Sequence, residues 1–404
     1  YVLKSKGWDM KNIKPVKTAV IGCGMISNIY IRNLKDLFHI IDLTAVCDIR
    51  LESAQEKAAA YGIETVMTME EVAASDEIEL VVNLTGPGAH YSVIRQMLEA
   101  GKHVFTEKTL AVTFKEGKEL VRLADERGLY LGAAPDTVLG AGLQTARKAI
   151  DAGLIGKVTS CFASINRNHP LLSEAFRFIQ NGPGGAFSMD VGVYYVAALL
   201  SLLGPVDSVS GFSAPAPVHE KEFLFMDNKE SWQLEGSNLM TAALRFRNGV
   251  LGMLHFNGLS INKEMPMIYI YGTEGILQIG DPNTFCGEVK LIREIGEPCL
   301  LPFTHGYDGS VILDNPTAYE QSYGHRGVGA AEMAWAMRLG RQSRCSKEFA
   351  LHTLELISGI DHSSREGKTC GMTTDFTFRP LKTGYNSRTF GGVMRADAER
   401  SLME

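Results

Sequence analysis

Between residues 18 and 137, short apolar runs alternate with stretches in which apolar side chains recur every three or four positions. The runs 18–22, 43–48, 79–84, 103–105 and 129–134 predict strands. Ile26, Ile29, Tyr30, Leu34 and Leu37 share one face of a helix, and Val93, Met97 and Leu98 share another, which Gly101 closes as a C-terminal cap. Repeated strand–helix units require parallel strands joined by helical crossovers. The first 137 residues therefore predict a doubly wound Rossmann sheet, after an N-terminal extension over 1–15.

The pattern changes near residue 138. A helix over 142–152 precedes long stretches of strict alternation at 158–166, 240–247, 250–257, 266–271 and 289–293. In the second of these Ala242, Leu244 and Phe246 face one way, and Thr241, Ala243, Arg245 and Arg247 the other. Asn248-Gly249 predicts a type I′ hairpin between two of the strands. Helices are expected over 190–203, 329–340 and 348–366. Residues 138–370 thus form an α+β domain with a large open antiparallel sheet. Residues 213–235, with Pro215 and Pro217 and then acidic positions, predict a long loop serving as a lid or interface arm. Residues 371–404 form a polar, weakly patterned tail.

Composition narrows the function. Of the 404 residues 45% are apolar and 21% charged, as in ordinary globular domains, and the net charge is −6. That balance offers no basic footprint for nucleic acid or an anionic membrane. Seven cysteines, none at CxxC spacing, argue against a disulfide framework or a zinc site, and ten histidines form no close metal-binding pair. No metal site, no membrane span and a cytoplasmic location are expected. Met10 is a candidate start preceded by extra residues.

Three clusters carry chemistry. Gly22-Cys23-Gly24-Met25-Ile26-Ser27 joins the first strand to the first helix. Gly22 makes the tight turn, Gly24 lets a pyrophosphate approach the backbone, and Ser27 is small enough for helix–strand packing. Asp48, 26 positions after Gly22, ends the second strand where a carboxylate binds a ribose 2′-hydroxyl. It favours NAD, while the nearby Arg50 leaves NADP open. Asn83-Leu84-Thr85-Gly86-Pro87 and Glu107-Lys108 end the third and fourth strands at the expected ligand crevice. A cationic Lys108 there can hold a substrate hydroxyl or lower the pKa of a neighbouring one. Asp190 and Tyr194, four apart on a helix, share a face, and Gly192 between them leaves room for a ligand or another backbone.

Together these motifs resemble the Gfo/Idh/MocA oxidoreductases, the family of glucose-fructose oxidoreductase and inositol dehydrogenase, over roughly residues 16–370. The resemblance also runs through Ala100-Gly101-Lys102-His103-Val104 and Gly272-Thr273-Glu274-Gly275. It implies NAD(P)-dependent transfer of hydride at a secondary hydroxyl of a sugar, glycoside or cyclitol. It implies Lys108, Asp190 and Tyr194 as catalytic residues. The cofactor residues it implies are Gly22, Gly24, Met25, Ile26, Asp48, Arg50, Asn83, Thr85, Pro87, His90 and Glu107. Thr109 stands where the family's Glu-Lys-Pro motif has proline, and Tyr194 where many members have histidine. The resemblance offers Asp136, Arg167, His169 and His325 as substrate candidates, and a homodimer or homotetramer built on the open sheet. Two alternatives stay open: a redox-neutral glycosidase or lyase working through a transient 3-keto sugar, and a non-catalytic NAD-binding regulator.

Overall fold

The computed structural model describes residues 13–167, 181–215, 219–222, 229–232, 236–260, 267–309, 324–382, 399 and 401–403. The first half alternates as the pattern predicts: β1 (Val16–Ile21), α1 (Ser27–Asp36), β2 (Ile41–Cys47), α2 (Leu51–Tyr61), β3 (Thr65–Val66), α3 (Met69–Ala74), β4 (Leu80–Asn83), α4 (Pro87–Glu99), β5 (His103–Thr106), α5 (Phe114–Arg127) and β6 (Leu131–Ala133). The six strands lie in the order β3-β2-β1-β4-β5-β6, all parallel. Their central members are buried on both faces, as a sheet covered by helices on two sides requires. β3 is two residues long and carries no readable pattern.

A 3₁₀ turn (Asp136–Leu139) and α6 (Ala141–Asp151) lead to β7 (Val158–Asn166). A π-helical turn (Ser188–Gly192) opens α7 (Val193–Leu203), which is buried on every side. Then follow β8 (Val206–Ala214), β9 (His219–Glu222), β10 (Lys229–Trp232), β11 (Leu239–Phe246), β12 (Leu251–Asn257), β13 (Ile268–Gly272), β14 (Ile276–Ile279), β15 (Val289–Ile292), β16 (Cys299–Leu300), α8 (Val328–Leu339), α9 (Lys347–Glu366) and β17 (Cys370–Gly371).

The second sheet has nine strands in the order β16-β15-β14-β13-β7-β12-β11-β8-β17. All its pairs are antiparallel except β7 with β12. Met240, Ala242, Leu244 and Phe246 point inward from β11 while Thr241, Ala243 and Arg245 are exposed, the alternation read from the sequence.

Two local expectations are corrected. The hairpin after β11 closes by Phe246 N–H donating to the Val250 carbonyl, with Gly249 at φ 88°. Its loop therefore has three residues, the form that ends in a left-handed glycine, and is no two-residue type I′ turn. Within the stretch expected to be a long loop, β8 runs on to Ala214, and β9 and β10 pair as a two-stranded ribbon.

The late helices return to the first sheet. The Arg338 guanidinium donates to both carboxylate oxygens of Glu79, and Tyr130 donates its hydroxyl to the Ala336 and Arg341 carbonyls. Part of the segment after 370 packs firmly: Leu402 is fully buried, and Glu399 accepts hydrogen bonds from the Ile40 and His39 backbone and from the Trp335 indole. Among the described residues no helix is long and apolar enough to cross a membrane.

Candidate active site

The carboxyl ends of the parallel strands gather the site. At the end of β1, Gly22 has φ 102°, and a Cβ there would lie 2.7 Å from the Leu84 carbonyl carbon. Only glycine allows β1 and β4 to approach so closely. A Cβ at Gly24 would meet nothing within 4 Å, so the backbone at Gly24 faces open space. Ser27 is buried and donates its hydroxyl to the Gly24 carbonyl, closing the turn. No side chain of the protein caps helix α1, and no acidic residue lies in its first turn. A tight turn, an open backbone and an uncapped helix N-terminus fit the pyrophosphate of a dinucleotide.

Asp48 stands beside this turn. Its Oδ2 accepts the Cys23 N–H at 2.7 Å and its Oδ1 the Arg50 N–H at 2.8 Å. A carboxylate offers about four lone-pair positions, so two remain for ribose hydroxyls. The Arg50 side chain is 73% exposed, with Nε 3.9 Å from Asp48 Oδ1. Met25 and Ile49 are exposed large apolar residues flanking the same opening. Ile26 and Thr85 are half-buried.

Other residues expected at the cofactor sit one layer behind it. Asn83 is fully buried. Its amide donates to the Thr106 hydroxyl, and its carbonyl oxygen accepts from the backbone and hydroxyl of Thr85. His90 is also fully buried, its two ring nitrogens 2.6 Å from the Thr109 carbonyl and 2.9 Å from that of Thr85. It clasps the β4 and β5 loops together; burial pulls its pKa down while the two carbonyls pull it up. Glu107 accepts the Tyr30 hydroxyl at 2.6 Å and the Lys108 backbone N–H at 3.1 Å. Pro87 starts α4 at its first turn, where the missing N–H costs nothing.

Lys108 follows β5, and its peptide bond to Thr109 is cis. Its Nζ lies 2.6 Å from Asp190 Oδ1, both side chains being 16% exposed, and 5.8 Å from the centre of the Tyr194 ring. Burial pulls the Lys108 pKa down, but Asp190, then Tyr194 and Glu107, outweigh it, so the amine is held above its ordinary value and stays a cation. Asp190 lies in the π-helical turn and Tyr194 in the first turn of α7, so the two expected helix neighbours do converge on Lys108.

Two expectations change here. Burial raises the Tyr194 phenol to about 12; the pull of Arg326 and then Lys108 reduces the rise without cancelling it. Lys108 therefore does not bring Tyr194 down to neutrality. Gly192 makes room for Phe256 instead of a ligand, since a Cβ there would lie 2.7 Å from the phenyl ring.

The substrate candidates separate. Arg167 is half-buried at the end of β7, with its guanidinium 3.2 Å from Asp281 Oδ2, and Tyr195 donates to Asp281 Oδ1. Asp136 is fully buried, its carboxylate facing Arg326 and the Gly327 and Gly329 N–H groups, and burial pushes it up to about 6. It lies beneath the site and not at its mouth. His325 is likewise buried, accepting the Gly309 N–H and packed against Phe285 and Tyr307. His169 lies outside the described residues. Arg326, Asn283 and Tyr30 touch the catalytic candidates or their partners without having been singled out for the site. The Arg-Gly-x-Gly run before α8 was the one available signal. Among the described residues no group of three or more His, Cys, Asp and Glu side chains is placed to hold a metal.

Comparison with known proteins agrees with this architecture. An uncharacterized oxidoreductase of Schizosaccharomyces pombe is 32% identical over 199 residues, 48% of this chain and 54% of its own length. The NADP-dependent scyllo-inositol 2-dehydrogenase of Bacillus subtilis is 26% identical over 200 residues, 50% of this chain and 55% of its own. The chain thus matches about half the length of these curated relatives. An oxidoreductase from Agrobacterium radiobacter, solved with NAD+, L-tartaric acid and magnesium, superposes with a TM-score of 0.73 at 16% identity, covering 89% of this chain and 98% of that one. Residues 16–134 match the model described as oxidoreductase family, NAD-binding Rossmann fold, and residues 143–278 match the GFO/IDH/MocA C-terminal domain. The first domain is an NAD-binding Rossmann domain, and with both models matched in order over more than half its length, the chain belongs to the Gfo/Idh/MocA oxidoreductase family.

Proposed function

We propose that this protein is an NAD(P)-dependent dehydrogenase or reductase acting on a secondary hydroxyl, or the corresponding ketone, of a sugar, glycoside or cyclitol. The observation that carries it is the contact of Lys108 with Asp190 at 2.6 Å, beside the Tyr194 ring, at the carboxyl end of β5 in the same parallel sheet whose β1 leads into the glycine turn. A nicotinamide held there would supply the hydride chemistry, leaving the protein to hold the substrate carbon and manage one proton. Lys108 is a donor-only cation, and Asp190 fixes one of its N–H directions. Its remaining donors suit a substrate oxygen that gains negative charge as the carbon–hydrogen bond changes. Tyr194 carries the proton. Because its phenol stays protonated at neutral pH, it is a ready donor to a ketone, and it accepts a proton only with the help of surrounding cations. Gly22, Gly24 and the N-terminus of α1 hold the pyrophosphate. Asp48 takes the adenosine ribose and favours NAD over NADP. Arg167, paired with Asp281, would contact substrate hydroxyls. The outward face of the nine-stranded sheet joins two copies of the chain.

The test is a panel of sugars, glycosides, cyclitols and their keto forms with both cofactors, followed by absorbance of the reduced nicotinamide. Lys108→Met should lower kcat by at least about a hundredfold while leaving NAD affinity unchanged. Turnover equal to the parent's would remove Lys108 from the chemistry.

A further inference from the structure

We propose, resting on the reading of Tyr194 as proton carrier, that Arg326 is a positioning residue that orients the Tyr194 hydroxyl and stabilises its ionised form. Arg326 precedes α8 and is 2% exposed. One terminal nitrogen donates to the Tyr194 hydroxyl oxygen at 3.2 Å and to Asn283 Oδ1 at 2.8 Å. The other lies 3.5 Å from Asp136 Oδ1, and the guanidinium carbon stands 5.1 Å from the centre of the Tyr194 ring. Asp136 is fixed in turn by the Gly327 and Gly329 N–H groups. Gly329 must be glycine for this, because a Cβ there would lie 2.5 Å from the Phe105 ring and 2.8 Å from Asp136 Cβ.

The chemistry follows from what a guanidinium cannot do. Arginine has no acceptor, so in this contact the phenol oxygen accepts and its own proton must point elsewhere. Lys108, with its Nζ 5.8 Å from the ring centre, is also donor-only and is engaged by Asp190. The charged groups facing Tyr194 are Lys108 and Glu107 from the end of β5, Asp190 from the π-helical turn, and Arg326 from the segment before α8, with Asp136 behind Arg326. Glu107 is turned toward Tyr30. The cation in hydrogen-bond contact with the phenol oxygen is Arg326. When the proton leaves, the same N–H that oriented the hydroxyl donates from a cation to an anionic phenolate, and the bond strengthens.

The readout is the ionisation of Tyr194 itself. The full-length protein is labelled with 3-fluorotyrosine, and among its 13 tyrosines the Tyr194 fluorine signal is assigned by its absence from Tyr194→Phe. In Arg326→Gln its titration midpoint should rise, read as a roughly tenfold or greater fall in the ionised fraction at each pH on the rising limb of the curve. Arg326→Lys should hold it near the parent value. The double variant Asp136→Asn, Arg326→Gln removes both buried charges together, should fold where the single variant does not, and should show the same rise. The alkaline side of the pH–rate profile should move with the midpoint. A midpoint that stays put in Arg326→Gln or in the double variant overturns the proposal, even if activity falls. A pH–rate profile in Tyr194→Phe identical to the parent's overturns the proton-carrier reading instead, whatever the fluorine titration shows.

Discussion

The carboxylate of Asp48 shapes the fold and, in the proposed function, also meets the cofactor. Its acceptance of the Cys23 N–H shapes the glycine turn, and under the proposal its charge would repel a 2′-phosphate. Asp48→Asn separates the two roles, because the amide oxygen can still accept from Cys23 while the charge is lost. A hydrogen bond to a charged group contributes about 1.5–3 kcal/mol, so the ratio of kcat/KM for NADP over NAD should rise about tenfold or more. Arg50, exposed beside it, is free to swing onto the phosphate. A ratio equal to the parent's would show that Asp48 does not set the preference. Residues of this kind are legible because they sit in short motifs: Asp48 ends a strand, and Lys108, Asp190 and Tyr194 fall in two compact runs. Arg326 is a different case. Its partners Asp136 and Tyr194 lie 190 and 132 positions away, and no local spacing reports contacts that the fold alone creates.

At the scale of elements, periodicity predicted what packing enforces. β11 alternates because one side faces the core, and its inward set matched position for position. β8 escaped notice because serine and glycine dominate it, leaving Val206 and Val209 as its buried apolar residues over most of its length. The π-helical turn has no period of its own to read. The proposed joining of two copies through the outward face of the same sheet is open to a direct test. Phe212 is 77% exposed on β8, Met253 50% and Leu251 55% on β12. The ladder brings Phe212 opposite Thr241 and Met253 opposite Ala243, so small side chains lie between the large ones. Clustered exposed apolar side chains on a flat sheet mark an interaction surface. Met253→Glu and Phe212→Glu touch no buried core and should leave the fold intact while halving the mass seen by light scattering. Both variants keeping the parent's mass, whatever that mass is, would show that this face joins nothing.

At the scale of the whole molecule, acid stability depends on buried histidines that join separate segments of the chain's second half only when neutral. His352 on α9 accepts the Val206 N–H at 3.0 Å, and His325 accepts the Gly309 N–H at 3.0 Å. Protonation would destroy both bonds; burial lowers the His352 imidazole to about 4, and it lowers His325 as well against the opposing pull of Asp308. His305, between Thr304 and the Leu381 carbonyl, is lowered to about 4 as well, again by burial. In the unfolded chain these histidines take up protons near pH 6.5. As pH falls from 6.5 toward 4 the unfolded state therefore binds more protons than the folded one, and stability is lost across that window. Asp136 works the other way: burial raises it to about 6, so the folded state takes its proton first and gains stability below that pH. One carboxyl against three histidines leaves a net loss on acidification. His352→Gln keeps an acceptor for Val206 and a donor for Thr374 but cannot titrate. Between pH 7 and 5 it should lose about 2 kcal/mol less unfolding free energy than the parent, measured by urea melts at each pH. Parallel losses in the two proteins would mean that His352 is not among the groups that set the acid limit of this fold.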